Sequence, residues 1–130
     1  MTTGYAANLR NAQLDAITTF AGNAALLRIY NGTRPATGGA ATTLLGTFTL
    51  GSPLAAGAAA GVLSPTLPAD TTGAAAGTAT WFRIVKADGT THVLDGSVGT
   101  SGADLNLNTT TISVGVAIAI TGITITRGNA

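Results

Sequence analysis

Residues Thr78 to Val85 alternate so that Thr78, Thr80, Phe82 and Ile84 point one way and Ala79, Trp81, Arg83 and Val85 the other, the period-two pattern of a β-strand. Both sets contain large apolar groups, so both faces of this strand are expected to be covered. Lys86-Ala87-Asp88-Gly89-Thr90 follows, and Asp-Gly between two such runs is a hairpin turn that returns Thr91 to Leu94 antiparallel. A chain committed to this hairpin must build a sheet around it.

Strand patterns dominate the remainder. Ala25 to Tyr30 reads as a strand stopped by the turn dipeptide Asn31-Gly32, and Thr43 to Leu50 as another with Leu44 and Leu50 among its apolar positions. The Ala/Gly segment after Pro53 is a closely packed strand or an ordered loop. Pro65 and Pro68 make Ser64 to Asp70 an edge or loop, because proline cannot donate to a ladder. Further on, Ile112, Val114, Val116, Ile118 and Ile120 alternate with smaller residues, a bulky face opposite a small one that invites close approach by another sheet or chain. After Thr121-Gly122 the bulk shifts to Ile123 and Ile125, so Gly122 marks a tight hairpin or a β-bulge, the bulge being favoured. As one strand, Val114 to Thr126 would span roughly 40 Å at about 3.3 Å per residue, a length that suits an arm.

One segment reads as helix. Asn8 is the expected N-cap, Leu9, Ala12, Ala16, Ile17, Phe20 and Ala21 fall at helical spacing, and Gly22 stops the run. A lone helix with one apolar stripe must lie against a sheet or a neighbouring subunit. The pattern as a whole predicts an all-β chain, an antiparallel β-sandwich or jelly roll with a short N-terminal helix, residues 1–22 forming an arm and helix and residues 23–130 the sandwich domain. At 130 residues there is room for one modest core. At least one terminal segment, Tyr5 to Gly22 or Ile112 to Arg127, is expected to cross to another subunit. Removal of Met1 to Gly22 should then leave a folded sandwich that no longer associates normally.

Composition narrows the function. Ala, Thr and Gly supply 67 of the 130 residues, while the charged residues are five Asp, five Arg and one Lys. Soluble domains typically carry roughly 25% charged residues, and so few charges suit a surface that other protein covers. The cations Arg10, Arg28, Arg34, Arg83, Lys86 and Arg127 are dispersed and the net charge is +1, too small for a field that tracks phosphates. No direct nucleic-acid partner is expected. The absence of cysteine excludes disulfides and thiolate metal sites. Met1 to Ala7 lacks the basic stretch of a secretory signal, and Ala55 to Leu63, between Pro53 and Pro65, is too short to cross a membrane. The chain is therefore expected to be intracellular as made, with no membrane partner.

Catalytic chemistry finds little purchase. His92 is the lone histidine and falls in the return strand of the hairpin; Thr90, Thr91 and Ser97 are its nearest hydroxyls, but a chain with 24 Thr offers such neighbours everywhere. Asp88, Asp95 and Asp104 stand beside turn glycines, and nothing matches the alternating oxygens of a calcium loop. Gly96 to Gly102 lacks the lysine of a phosphate loop and reads as a flexible connection. The expectation is no enzyme, no metal and no cofactor. Trp81 reads as a core anchor, Tyr5 and Tyr30 as contact residues, and Leu9, Arg10, Ile17, Phe20 and Arg127 complete the expected partner interface.

The order of features then resembles a known group. A short helix, Leu26-Leu27-Arg28-Ile29-Tyr30-Asn31-Gly32, Thr80-Trp81-Phe82-Arg83-Ile84-Val85, Asp88-Gly89-Thr90, Gly96-Ser97-Val98-Gly99, Asp104-Leu105-Asn106-Leu107-Asn108 and a final Ile-Thr-Ile-Thr strand together resemble the small structural proteins of tailed bacteriophages. The likeness is greatest to the capsid cement or decoration proteins of short-tailed phages. That resemblance implies an all-β, often jelly-roll-like protein made in the host cytoplasm and placed on the outer capsid surface. Its implied partners are the major capsid protein and itself, as a dimer in preference to a trimer. A tail or head-fibre component is the near alternative and a small hydrolase the remote one.

Overall fold

A computed structural model describes residues 4–36 and 38–126. In chain order it contains α1 (Ala7–Ala21), β1 (Leu26–Tyr30), β2 (Leu44–Thr49), β3 (Val62–Leu63), β4 (Thr71–Thr72), β5 (Gly77–Thr78), β6 (Trp81–Val85), β7 (His92–Gly99), β8 (Leu105–Leu107), β9 (Thr111–Ile112), β10 (Ala117–Ile118), β11 (Ile120–Ile123) and β12 (Ile125–Thr126). The chain is mostly β with one short helix. Six strands form a sheet in the order β11-β8-β7-β6-β1-β2, and β4 with β10, β3 with β12 and β5 with β9 form two-stranded pairs.

The β6–β7 hairpin is present at the expected turn, and it anchors the sheet. The expectation of a wholly antiparallel sheet needs correction, because β7 and β8 run parallel, with Val98 opposite Leu105 and Gly99 opposite Asn106. Parallel neighbours usually need a long crossover. Here a closed loop suffices, since Asp104 Oδ2 accepts from Ser97 N at 3.1 Å and from Ser97 Oγ at 3.2 Å, while Ser97 Oγ accepts from Asp104 N at 3.1 Å. Gly96 to Gly99, expected to lie in a flexible connection, are therefore strand.

Both faces of β6 are covered, as its alternation predicts: Trp81 and Phe82 are each 1% exposed. Phe82 and Ile84 join Leu27, Ile29, Phe48 and Leu105 in the main core, together with Ile112 and Ile118 from the two-stranded pairs. Gly46 permits that packing, because a Cβ there would lie 3.0 Å from Ile118 Cδ1.

The helix begins earlier than expected. Ala6 is the N-cap residue with φ −60° and ψ 146°, without a side-chain cap, and Asn8 sits inside the first turn. The bond from Arg10 N to Ala6 O starts the helix on its own backbone. Gly22, φ 71°, ends it as expected. The expected apolar stripe divides: Ala21 is buried and Ile17 half-buried, whereas Leu9 and Phe20 stay 48% and 50% exposed. Polar groups set that rotation. Asp15 Oδ1 accepts from Ala58 N at 2.7 Å and Asn11 Oδ1 from Gly61 N at 2.9 Å, which turns Leu14 onto Ala55 and Leu63 in a second, smaller core.

The long C-terminal strand is also corrected. β9, β10, β11 and β12 pair with four different segments, β5, β4, β8 and β3. A turn at Ser113 to Val116, with Gly115 at φ 79° and Val116 N bonded to Ser113 O, breaks the run. It leaves Val114 and Val116 69% and 48% exposed, while Ile112, Ile118 and Ile120 turn inward. The β8–β11 register does shift between Ile120 and Gly122, at the expected place, but β11 and β12 then pair with different strands instead of continuing as one.

Candidate functional site

The densest polar arrangement lies on the face of the sheet turned away from the main core. Cross-strand register aligns Arg28 of β1, Arg83 of β6 and Asp95 of β7 in one row. Asp95, whose side chain is 3% exposed, accepts from Arg83 Nε at 2.7 Å and Arg83 Nη2 at 3.1 Å, from Gly38 N at 3.3 Å, and lies 3.1 Å from His92 Nε2. Arg83 Nη2 also donates to Gly39 O at 2.8 Å. Above it, the Arg83 guanidinium carbon stands 5.1 Å from the centre of the Trp81 ring, and Trp81 stacks on Tyr30 at 4.4 Å and 17°. The indole Nε1 donates to Asn31 O and Thr42 Oγ1, both at 3.0 Å.

Electrostatics follow from this geometry. Burial pushes the Asp95 carboxyl up, but the Arg83 hydrogen bond, the Gly38 amide, the Arg83 charge and the His92 contact together outweigh it and hold the group below its ordinary value. The Asp95 hydrogen bond raises Arg83 against its own burial. Arg28, opposite Arg83, would be repelled by a like charge. It donates Nη1 to Gly89 O at 2.9 Å at the hairpin turn, and Asp95 offsets the charge on the far side of Arg83.

His92 thus faces a carboxylate. Thr91 Oγ1 bonds Asp88 and Ser97 Oγ bonds Asp104, so the hydroxyls near it in sequence are directed elsewhere. Asp88 caps its turn by accepting from Thr90 N and Thr91 N, both at 2.9 Å. Among the described residues, no three His, Cys, Asp or Glu side chains gather to hold a metal, and no helix is long and apolar enough to cross a membrane.

The expected contact residues do not form one patch. Leu9 and Phe20 are exposed on α1, with Lys86 Nζ 4.5 Å from the Phe20 ring centre. Tyr5 and Arg10 are half-buried. Ile17 packs beside both cores and also lines a cleft of about 310 Å³ with Phe82, Leu94, Asp104 and Ile125. Tyr30, 5% exposed, is internal. Arg127 lies outside the described residues. Sequence reasoning passed over the Arg83–Asp95 pair, and also Leu44, Leu67, Val114 and Val116 as exposed large apolar residues.

Comparisons with family models, curated proteins and solved structures returned no match to this chain.

Proposed function

We propose that this protein is a non-enzymatic structural component of a bacteriophage virion, a cement protein that binds the outside of the capsid and bridges neighbouring major capsid protein subunits. The observation that carries the reading is the surface: Leu9, Phe20, Leu44, Leu67, Val114 and Val116 are exposed on a chain with only six cations and five aspartates. Such a surface binds by shape and apolar contact. The resemblance in feature order to phage cement proteins supplies the partner. A cement protein stabilises a shell by burying area across subunit boundaries, and many copies acting together make modest contacts sufficient. The protein acts as a homo-oligomer, a dimer in preference to a trimer.

Within this reading the fold is a reduced sandwich or jelly roll. Supporting it, β9 and β10 send Ile112 and Ile118 into the core face of the six-stranded sheet, where a second layer would lie.

Purified protein mixed with capsids lacking it provides the test. Cryo-EM should show hundreds of copies over the outer shell. A few copies at one vertex or along the tail would assign it to a fibre or tail, and no binding would remove the reading. A hydrolytic activity abolished by His92→Ala with assembly intact would replace it.

A further inference from the structure

Trp81 is buried without belonging to the main core. The groups that meet its indole nitrogen, Asn31 O and Thr42 Oγ1, come from the two ends of the β1–β2 connection. At the β2 end Asn31 N donates to Thr43 O at 3.3 Å, Asn31 Oδ1 accepts from Thr43 N at 3.1 Å and Asn31 O accepts from Thr42 Oγ1; between the ends the backbone is fastened to the sheet at Gly38 and Gly39. Gly38 N donates to Asp95, and Gly39 O accepts from Arg83, which Asp95 also holds. Residues 38–43 form no strand and carry no buried side chain. Lifting them would therefore leave the main core closed, the condition under which a segment opens locally at low cost.

We propose that residues 38–43 are a strap that opens as a unit, with the Asp95 carboxylate as its clasp, baring the Tyr30–Trp81 stack while the sheet stays folded. The groups that face the clasp are Arg83 from β6, His92 from β7 and, beyond Arg83, Arg28 and Tyr30 from β1. Arg34, exposed, is the one charged residue in the connection. None of these is a second carboxylate, so the Gly38 end of the strap is held while Asp95 is ionised and loosened when that charge is removed. The device pairs a closed state with a dry indole and an open state with a wet one.

Asp95→Asn tests this directly, because asparagine keeps the shape but turns one acceptor oxygen toward donors as a donor. Amide exchange at Gly38 and Gly39 should quicken by about tenfold or more at neutral pH, with β1, β6 and β7 still protected. Acrylamide quenching of Trp81, the single tryptophan, should rise about twofold or more in the same sample. Unchanged exchange and quenching would overturn the proposal. If the variant fails to fold, acid titration of the wild-type chain decides: quenching that rises at higher pH than the loss of far-UV circular dichroism supports the strap, and coincident transitions overturn it.

Discussion

Gly96 shows how one residue makes room for its cross-strand neighbour. A Cβ there would lie 2.4 Å from Phe82 Cε1 and 2.7 Å from Phe82 Cζ, so the buried Phe82 ring would have to shift. Gly96→Ala is expected to destabilise the fold by about 1–3 kcal/mol, read from urea denaturation. Asp88 offers a cleaner electrostatic test. The Thr91 hydroxyl, with the Thr91 and Thr90 amides, lowers its carboxyl to about 2. Its stabilising bonds are fully present above the ordinary carboxylate value and are lost as pH falls toward 2. An NMR titration of Asp88 should find that midpoint, and Thr91→Ala should move it upward. Asp95 has the same sign, its contribution fading only as pH drops through its lowered value. Asp88 as a turn residue was legible from Asp-Gly alone, but the Arg83–Asp95 pair was not. Counting back from that turn sets Arg83 opposite Leu94, and the register shift between Ile84 and Val85 moves it opposite Asp95.

The helix and the C-terminal strands show the same limit at the next scale. Apolar spacing and Gly22 disclosed that a helix exists and where it stops. They could not disclose its rotation, which Asn11 and Asp15 set by binding backbone amides more than forty residues away. Leu14→Ala is accordingly expected to cost about 2–5 kcal/mol, while Leu9→Ala should stay within about 0.5 kcal/mol, both measured by thermal or urea unfolding. Because Leu14 seals the smaller core and Ala21 enters the larger one, deletion of Met1 to Gly22 should weaken the fold as well as any association. Alternation from Ile112 to Ile120 marked Ile112, Ile118 and Ile120 as inward-facing but not the turn at Ser113 to Val116 that interrupts the run. Its division among partners was invisible, since period-two patterning names a face and not a neighbour.

For the whole molecule, the β-rich class followed from the number of alternating runs and the lack of a second helical pattern. The strand order and the parallel β7–β8 pair did not, because they depend on the Ser97–Asp104 loop closure. The scarcity of charge carries its own prediction. Capsid binding should change by less than about threefold between 50 and 500 mM salt, measured by co-sedimentation, whereas an electrostatic interface would weaken far more. Timing also follows from the way residues 111–126 complete pairs with β3, β4, β5 and β8. Those partners leave the ribosome earlier and must wait with open edges until the later segment emerges. Folding in the cell is thus held back until residues 111–126 have emerged, and a nascent chain stalled before Thr111 should remain sensitive to protease along most of the length made by then.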